Sequence, residues 1–424
     1  SVVPAEVTET YPLVQDTQRQ WRISDPPRGV RLTPADRDRS FPARRIYFLS
    51  RSSRTALHVV PDQVLLPVGG KPGVAEVSRL LRGPSSAIAG SVTSGFPPGT
   101  TLQSVTSTAG IYEVALSPEV QLASDLQRQT LSAQLVWTLR NLDPRFRGLR
   151  VMSGGEPLKV PGEGDVQQPD DWDLFNPDGL TAGPAYFTAG KKVQTLVGGT
   201  QRGGPAAVRD LLVDAVAVTP DRTRIAVLQP GVVRSGPMDG RGLATVSAPG
   251  VVSLSWGTGE RGLWLLDNRG RVQLLDLQNK ARPVPVPGVE GRITWLAVSR
   301  DGVRAAMVIN GSVYVGRVRP IGEGLAIVGA TRVAPELTGV TRLAWRDPTS
   351  LVVLGRVSQT FVPVVVAVDG SSVRPLPVSG LPAQAEQVAA SPLGVVVTSA
   401  KRLFTLSSLG FRPGPLGAVP AYPG

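Results

Sequence analysis

The chain has 424 residues, enough for two to four domains at roughly 100–200 residues each, and carries 45 basic against 33 acidic side chains for a formal charge of +12. It has no cysteine and a single histidine, His58, which excludes disulfides, thiol nucleophiles, Cys/His zinc sites and iron–sulfur clusters. A hydrophobic content of 41% excludes wholesale disorder, no apolar run is long enough to span a bilayer, and 47 glycines and 39 prolines spread along the chain point to short strands joined by turns.

Residues 1–42 hold little that could close a core. They begin at Ser1-Val-Val-Pro without a Met or a signal-like stretch, which suggests a processed or trimmed start, and they read as the tail of an upstream N-terminal domain. Trp21 and Ile23 share one strand face, as in the last strand of that domain or an edge strand packed on the next. From 43 to 158 the pattern is α+β. Ile46-Tyr-Phe-Leu and the segment from Leu57 to Leu66 read as strands. Val74, Val77, Leu80 and Leu81 predict a helix after Pro72, stopped by Gly83-Pro84. Strands follow at Thr101 and Ile111. The longest helix is expected to open at Ser117-Pro118-Glu119, which offers an N-cap hydroxyl, Pro at the first helical position and an acid facing the dipole. It is expected to end near Asn141, with Leu131, Leu135, Leu139 and Leu142 buried, before a closing strand at Gly148.

Residues 159–182 form a Pro/Gly/Asp-rich linker expected to dock through Trp172 and Phe175. Beyond it, 183–424 carries a repeat. The strand pair beginning at Val213 recurs at Val251, Ile293, Val340 and Glu386, with the small residues Ala217, Ser255, Ala297, Ala344 and Ala389 in equivalent places. A strand-only period of about 40–45 residues is the signature of a β-propeller. Five repeats are visible, and 183–200 supplies part of another, so about six blades are expected. The small residues belong on the innermost strands, where blades converge. Trp256, Trp264, Trp295 and Trp345 read as packing between blades.

Few residues suggest chemistry. Gly257-Thr-Gly-Glu-Arg-Gly262 matches the dinucleotide fingerprint in letters, but a strand follows where a helix N-terminus is required, so it reads as a hairpin turn. His58 reads as a solvent-facing strand residue. No catalytic, metal-binding or cofactor-binding residue is singled out. Residues 19–54 carry ten arginines against three aspartates, and more arginines cluster at the end of the long helix. Arg37, Arg39, Arg44, Arg45, Arg140, Arg145 and Arg147 are therefore the candidates for an anionic partner, with a solvated basic surface as the plainer reading. No aromatic residue interleaves them as a nucleic-acid stacking platform would.

Arg82-Gly-Pro-Ser, Phe96-Pro-Pro-Gly-Thr-Thr-Leu-Gln-Ser-Val and Val151-Met-Ser-Gly-Gly-Glu-Pro-Leu resemble the GerMN domain of spore-germination and sporulation proteins. A GerMN-like domain followed by a propeller, behind Gln20-Trp-Arg-Ile-Ser-Asp-Pro-Pro-Arg-Gly-Val, resembles the actinobacterial LpqB lipoprotein family. That resemblance implies a non-enzymatic lipoprotein at the outer face of the cytoplasmic membrane, held by an N-terminal lipid anchor absent from this sequence. It also implies a partner, the extracytoplasmic domain of an MtrB-like sensor histidine kinase of the MtrAB two-component system, and a role in cell-envelope homeostasis. Two other classes stay open on the residues alone: a binder of wall polymer or anionic lipid through the arginines, and a glycan or peptide hydrolase working in the propeller mouth, which would need two converging carboxylates.

Overall fold

A computed structural model of the chain describes residue 8 and residues 10–25, 32–51, 58–176, 183–239, 241–257, 262–322 and 324–424. An N-terminal ribbon pairs Leu13–Gln15 with Trp21–Ile23, and a short helix, α1 (Pro34–Ser40), precedes the first domain. The sequence pattern did not disclose α1, although Thr33 caps it by accepting the Asp36 N–H. The ribbon differs from the expected packed edge strand. Trp21 and Ile23 lie on solvent, 66% and 51% exposed, and the two strands pair only with each other.

The α+β body has two antiparallel-rich sheets around one long helix. Ala43–Ser50 is the centre of a three-stranded sheet, flanked by Val59–Leu65 and Val92–Thr93. The second sheet runs Leu102–Thr108, Ile111–Leu116, Gly148–Ser153, Glu156–Pro157. Its middle pair is parallel, so the chain must cross over between them, and α3 (Asp125–Leu139) makes that crossover. The smaller helix, α2 (Val74–Leu81), forms where its apolar spacing predicts.

The long helix starts later than Ser117. Pro118–Leu122 is a separate 3-10 turn, closed by extended backbone at Ala123. The true cap is Ser124, whose hydroxyl accepts the Gln127 N–H while the Gln127 amide accepts the Ser124 N–H, a reciprocal capping box. The same local signals thus occur twice within eight residues, and only the second is followed by a stretch that packs. From Thr130 to Leu139 every residue is buried, because the helix is covered on all sides. Its buried amide is satisfied at both ends: Gln134 accepts from Gly95 N–H at 2.7 Å and donates to the Tyr47 carbonyl at 2.8 Å. Leu131, Leu135 and Leu139 are fully buried as expected, and Leu142 partly so.

The 159–182 segment docks on this body. Pro169–Phe175 forms a 3-10 turn, Trp172 enters the core at 2% exposure, and its carbonyl accepts the Trp137 indole N–H at 3.1 Å. Phe175 packs edge-on against Trp172.

The rest is a propeller of six four-stranded antiparallel sheets. Blade 1 is closed by both ends of the domain: Ala185–Ala189, Lys192–Val197 and Thr200–Gly203 are joined by Ala418–Ala421 as innermost strand. Blades 2 to 6 begin with the innermost strands Ala215–Val218, Val251–Trp256, Ile293–Val298, Thr338–Asp347 and Gln387–Ser391. These contain Ala217, Ser255, Ala297, Ala344 and Ala389, the five small residues of the repeat, and all five line the central channel. Building one blade from strands of both ends ties the ring shut, while each blade keeps only a short outer edge.

Candidate functional site

Two features could carry function: the propeller channel, and the seam between the propeller and the α+β body. The channel encloses a cavity of about 90 Å³, room for a few waters. Its lining is Val, Ala, Leu, Trp, Ser255, Pro420, Tyr422 and Gly424, with no acid, base or histidine among them. The tryptophans that line it are satisfied between blades, as the repeat predicts. Trp256 donates its indole N–H to the Ala217 carbonyl of blade 2, and Trp295 and Trp345 exchange bonds between blades 4 and 5, to Leu343 at 2.9 Å and Ala297 at 3.0 Å. Trp264 is buried beside them at 2% exposure. One mouth is capped by the last residues: Gly424 N–H bonds the Val218 carbonyl at 2.8 Å, and Arg300 holds the Pro423 carbonyl at 2.8 Å.

The seam is built by one hairpin turn of blade 4. In the 299–304 turn, the Asp301 carboxylate accepts from the Ser299 hydroxyl and the Val303 N–H, and the Ser299 hydroxyl accepts the Arg304 N–H at 2.9 Å. The preformed turn enters the α+β body. Val303 joins the hydrophobic core of that body. Arg304, 4% exposed, pairs with Asp301 at 3.5 Å and donates to the Pro61 carbonyl at 2.6 Å. The Asp301 carbonyl in turn receives the Ser50 hydroxyl at 3.1 Å.

Blade 5 extends the contact. Arg45 donates to the Thr349 hydroxyl at 3.0 Å, and Gln63 to Asp369 at 2.8 Å. Arg317, on the unusually long third strand of blade 4 (Ser312–Ile321), reaches the Ser86 carbonyl. Every propeller group in the seam comes from one side of blades 4 and 5, so the strand pair Ala43–Ser50 and Val59–Leu65 lies along that face.

His58 belongs to this seam. It is half-buried rather than solvent-facing, with Nε2 3.3 Å from the Asp301 carbonyl. Strand alternation alone placed it outward because the propeller that covers that side is 240 residues away in sequence. Gly257 and Gly262 flank a connection between two strands of blade 3, as the hairpin reading requires; residues 258–261 between them lie outside the described residues.

The candidate arginines do not converge as one open cationic surface. Arg37 pairs with Asp38 at 2.6 Å, Arg39 with Asp36, and Arg44 with Glu76 at 3.5 Å. Arg45 is spent on the seam. Arg140 lies over the Trp137 ring, 4.3 Å from its centroid. Arg145 is exposed and pairs with Asp143; its backbone N–H and guanidinium hold that carboxyl below the usual carboxylate range. Arg147 is exposed. What sequence reasoning missed was the seam itself. Its signal was present: where blade 2 reads Thr219-Pro-Asp-Arg-Thr-Arg, blade 4 reads Ser299-Arg-Asp-Gly-Val-Arg, with an apolar residue at a turn position that solvent would not ask for.

Comparison with known proteins agrees with both halves. Residues 45–159 match the family model for sporulation and spore germination, and residues 194–423 match that of the lipoprotein LpqB beta-propeller domain. The chain is 29% identical to lipoprotein LpqB of Thermobifida fusca, covering 100% of this chain and 78% of the relative. It is 28% identical to that of Streptomyces coelicolor, over 100% and 77%. Among solved structures it is similar to a chain of a nidogen/laminin complex, with TM-score 0.44 and 8% identity over 56% of this chain and 97% of the other. It is also similar to virginiamycin B lyase from Staphylococcus aureus, with TM-score 0.38 and 12% identity over 56% and 82%. With a GerMN-type body docked on a six-bladed propeller whose family model spans more than half its length, the chain belongs to the lipoprotein LpqB family.

Proposed function

We propose that this protein is a non-enzymatic accessory lipoprotein at the outer face of the cytoplasmic membrane. In this reading it binds the extracytoplasmic domain of an MtrB-like sensor kinase and modulates the MtrAB two-component system, and through it envelope homeostasis. The observation that carries the reading is the joining of two domains into one body with no reactive constellation among the described residues. The seam spends polar and apolar side chains on holding the α+β body against blades 4 and 5, and the channel lining holds neither a carboxylate pair nor a nucleophile with its base. A fixed relative orientation lets both domains contribute to one binding face without the ordering cost that a flexible pair would meet on association.

The test is titration calorimetry between the folded chain and the folded kinase sensor domain, with co-purification of the anchored protein from membranes. Saturable binding at tens of micromolar or tighter supports the proposal. Absence of binding at that concentration, with both partners folded, overturns it.

A further inference from the structure

On the side of the propeller away from the seam lies Arg342, a cation that forms no ion pair among the described residues. Arg342 lies on the innermost strand of blade 5, immediately before the channel-lining Leu343, and that strand runs on to the 347–350 turn at the seam face. Its position is therefore toward the opposite end. The guanidinium lies over the Trp295 ring, 4.5 Å from the centroid. Its Nε donates to the Gln387 side-chain oxygen at 3.0 Å, and one terminal nitrogen donates to the Thr341 carbonyl at 2.8 Å. Gln387 itself immediately precedes Val388, another lining residue. Three anchors from blades 4, 5 and 6 thus fix one planar cation beside the channel lining.

A guanidinium has five N–H donors. Two are used here, and the three that remain are on the terminal nitrogens, the edge that grips a carboxylate bidentately. Burial pushes the Arg342 guanidinium below its ordinary pKa, and no neighbouring acid opposes that. In the seam, Arg45, Arg304 and Arg317 have hydroxyl, carboxylate or carbonyl oxygens fitted to them, whereas Arg342 has a ring, an amide and one carbonyl. The same face is mixed in charge, since Glu290, Glu336 and Glu386 lie just ahead of the inner strands that begin at Ile293, Thr338 and Gln387. The turns between second and third strands bring Lys191 and Lys192, Arg269 and Arg271, and Lys401 and Arg402 to it, and only Lys191 and Arg271 of these form ion pairs among the described residues, with Asp214 and Asp267.

We propose that this position is a carboxylate-binding site, with Arg342 as the fork, Gln387 and Thr341 as its fixings, and Trp295 as the platform beneath it. The ligand approaches in the plane of the guanidinium, since Trp295 covers one of its faces. This goes beyond the accessory role proposed above and stands whether or not a kinase is the partner.

The experiment uses the whole chain with its tryptophan indoles labelled with nitrogen-15, the Trp295 signal being assigned by Trp295→Phe. Sodium acetate is titrated in, with sodium chloride at equal ionic strength as control. A second titration uses a neutral-capped peptide bearing one glutamate. The expected result is a saturable shift of the Trp295 indole signal with acetate or the peptide and none with chloride. Tighter binding of the peptide assigns the site to a protein-borne carboxylate; equal binding assigns it to a small free one. Arg342→Met keeps an unbranched apolar side chain without the guanidinium and should weaken binding by about tenfold or more, with the other six indole signals unmoved. An unmoved Trp295 signal in the unaltered chain, or the same movement in Arg342→Met, overturns the proposal. The first criterion needs no variant, so it holds even if Arg342→Met fails to fold.

Discussion

Blades 2 and 4 carry the same turn and use it differently. In both, a hydroxyl residue opens the turn, an aspartate two positions on accepts its O–H and a backbone N–H, and an arginine begins the next strand. In blade 2, Asp221, Arg222 and Thr223 are exposed. In blade 4, Asp301, Gly302, Val303 and Arg304 are all buried, because the α+β body covers them. The hydrogen-bonded frame is therefore a property of the repeat, while the side chains hung on it decide whether the turn meets water or another domain. Arg222 and Gly302 take the same left-handed backbone, at φ 59° and 66°. In solvent an arginine tolerates it at some cost in strain; in the buried copy of the turn the position is a glycine, which adopts it freely.

The comparison breaks most sharply at the arginines. Arg304→Ala removes a buried ion pair with Asp301 and the donor to the Pro61 carbonyl, so stability should fall by about 3 kcal/mol. Arg224→Ala in blade 2 should cost no more than about 1 kcal/mol. Chemical denaturation of the two variants side by side checks the pair. Next come the left-handed positions. Gly302→Arg forces a charged chain into the closed seam and should cost about 2–3 kcal/mol. Arg222→Gly trades strain against chain entropy and should stay within about 1 kcal/mol of the starting protein. Exchange at the third position is milder. Val303→Thr gives blade 4 the blade 2 residue and buries a hydroxyl in the core of the α+β body, for an expected loss of about 1–2 kcal/mol. Thr223→Val on the exposed copy should move stability by about 0.5 kcal/mol or less.

The smallest effect is in the pH dependence of blade 2. Burial raises the Asp221 carboxyl, but hydrogen bonds from Thr219 and Thr223 outweigh it and hold the group below its ordinary value. A carboxyl lowered by folding contributes stability above its unfolded pKa and loses it as pH falls through the folded pKa. The stability difference between the unaltered chain and Asp221→Asn should be flat from about pH 5 to 7 and shrink below about pH 4. A difference that grows on acidification would contradict this reading of the turn.

Much of this was legible in the residues. Ala217, Ser255, Ala297, Ala344 and Ala389 marked the inner strands because crowding at a propeller axis leaves room only for small side chains, and that constraint recurs in every blade. Trp172 and Phe175 were legible as the residues by which the 159–182 segment docks. The helix start was not, because Pro118 and Glu119 satisfy the local rules at a turn whose continuation does not pack. The seam was hidden for a different reason. Ser50, His58 and Pro61 meet Asp301 and Arg304 across some 240 positions, and strand alternation says nothing about a partner that distant. The basic stretch misled in the opposite sense: Arg37, Arg39 and Arg44 have acidic neighbours in space, two of them only one and three residues away. Arg342 drew no notice because a single arginine in a strand has no pattern; its meaning comes from Trp295 and Gln387 on other blades.

The central claim is that blade 4 locks the two domains into one body. Scanning calorimetry of the whole chain and of Arg304→Ala tests it directly. The account predicts that in the unaltered chain the α+β body and the propeller unfold in one coupled transition, and that Arg304→Ala separates them into two, the earlier one assigned to the α+β body. Two independent transitions in the unaltered chain, neither of them moved by Arg304→Ala, would contradict it.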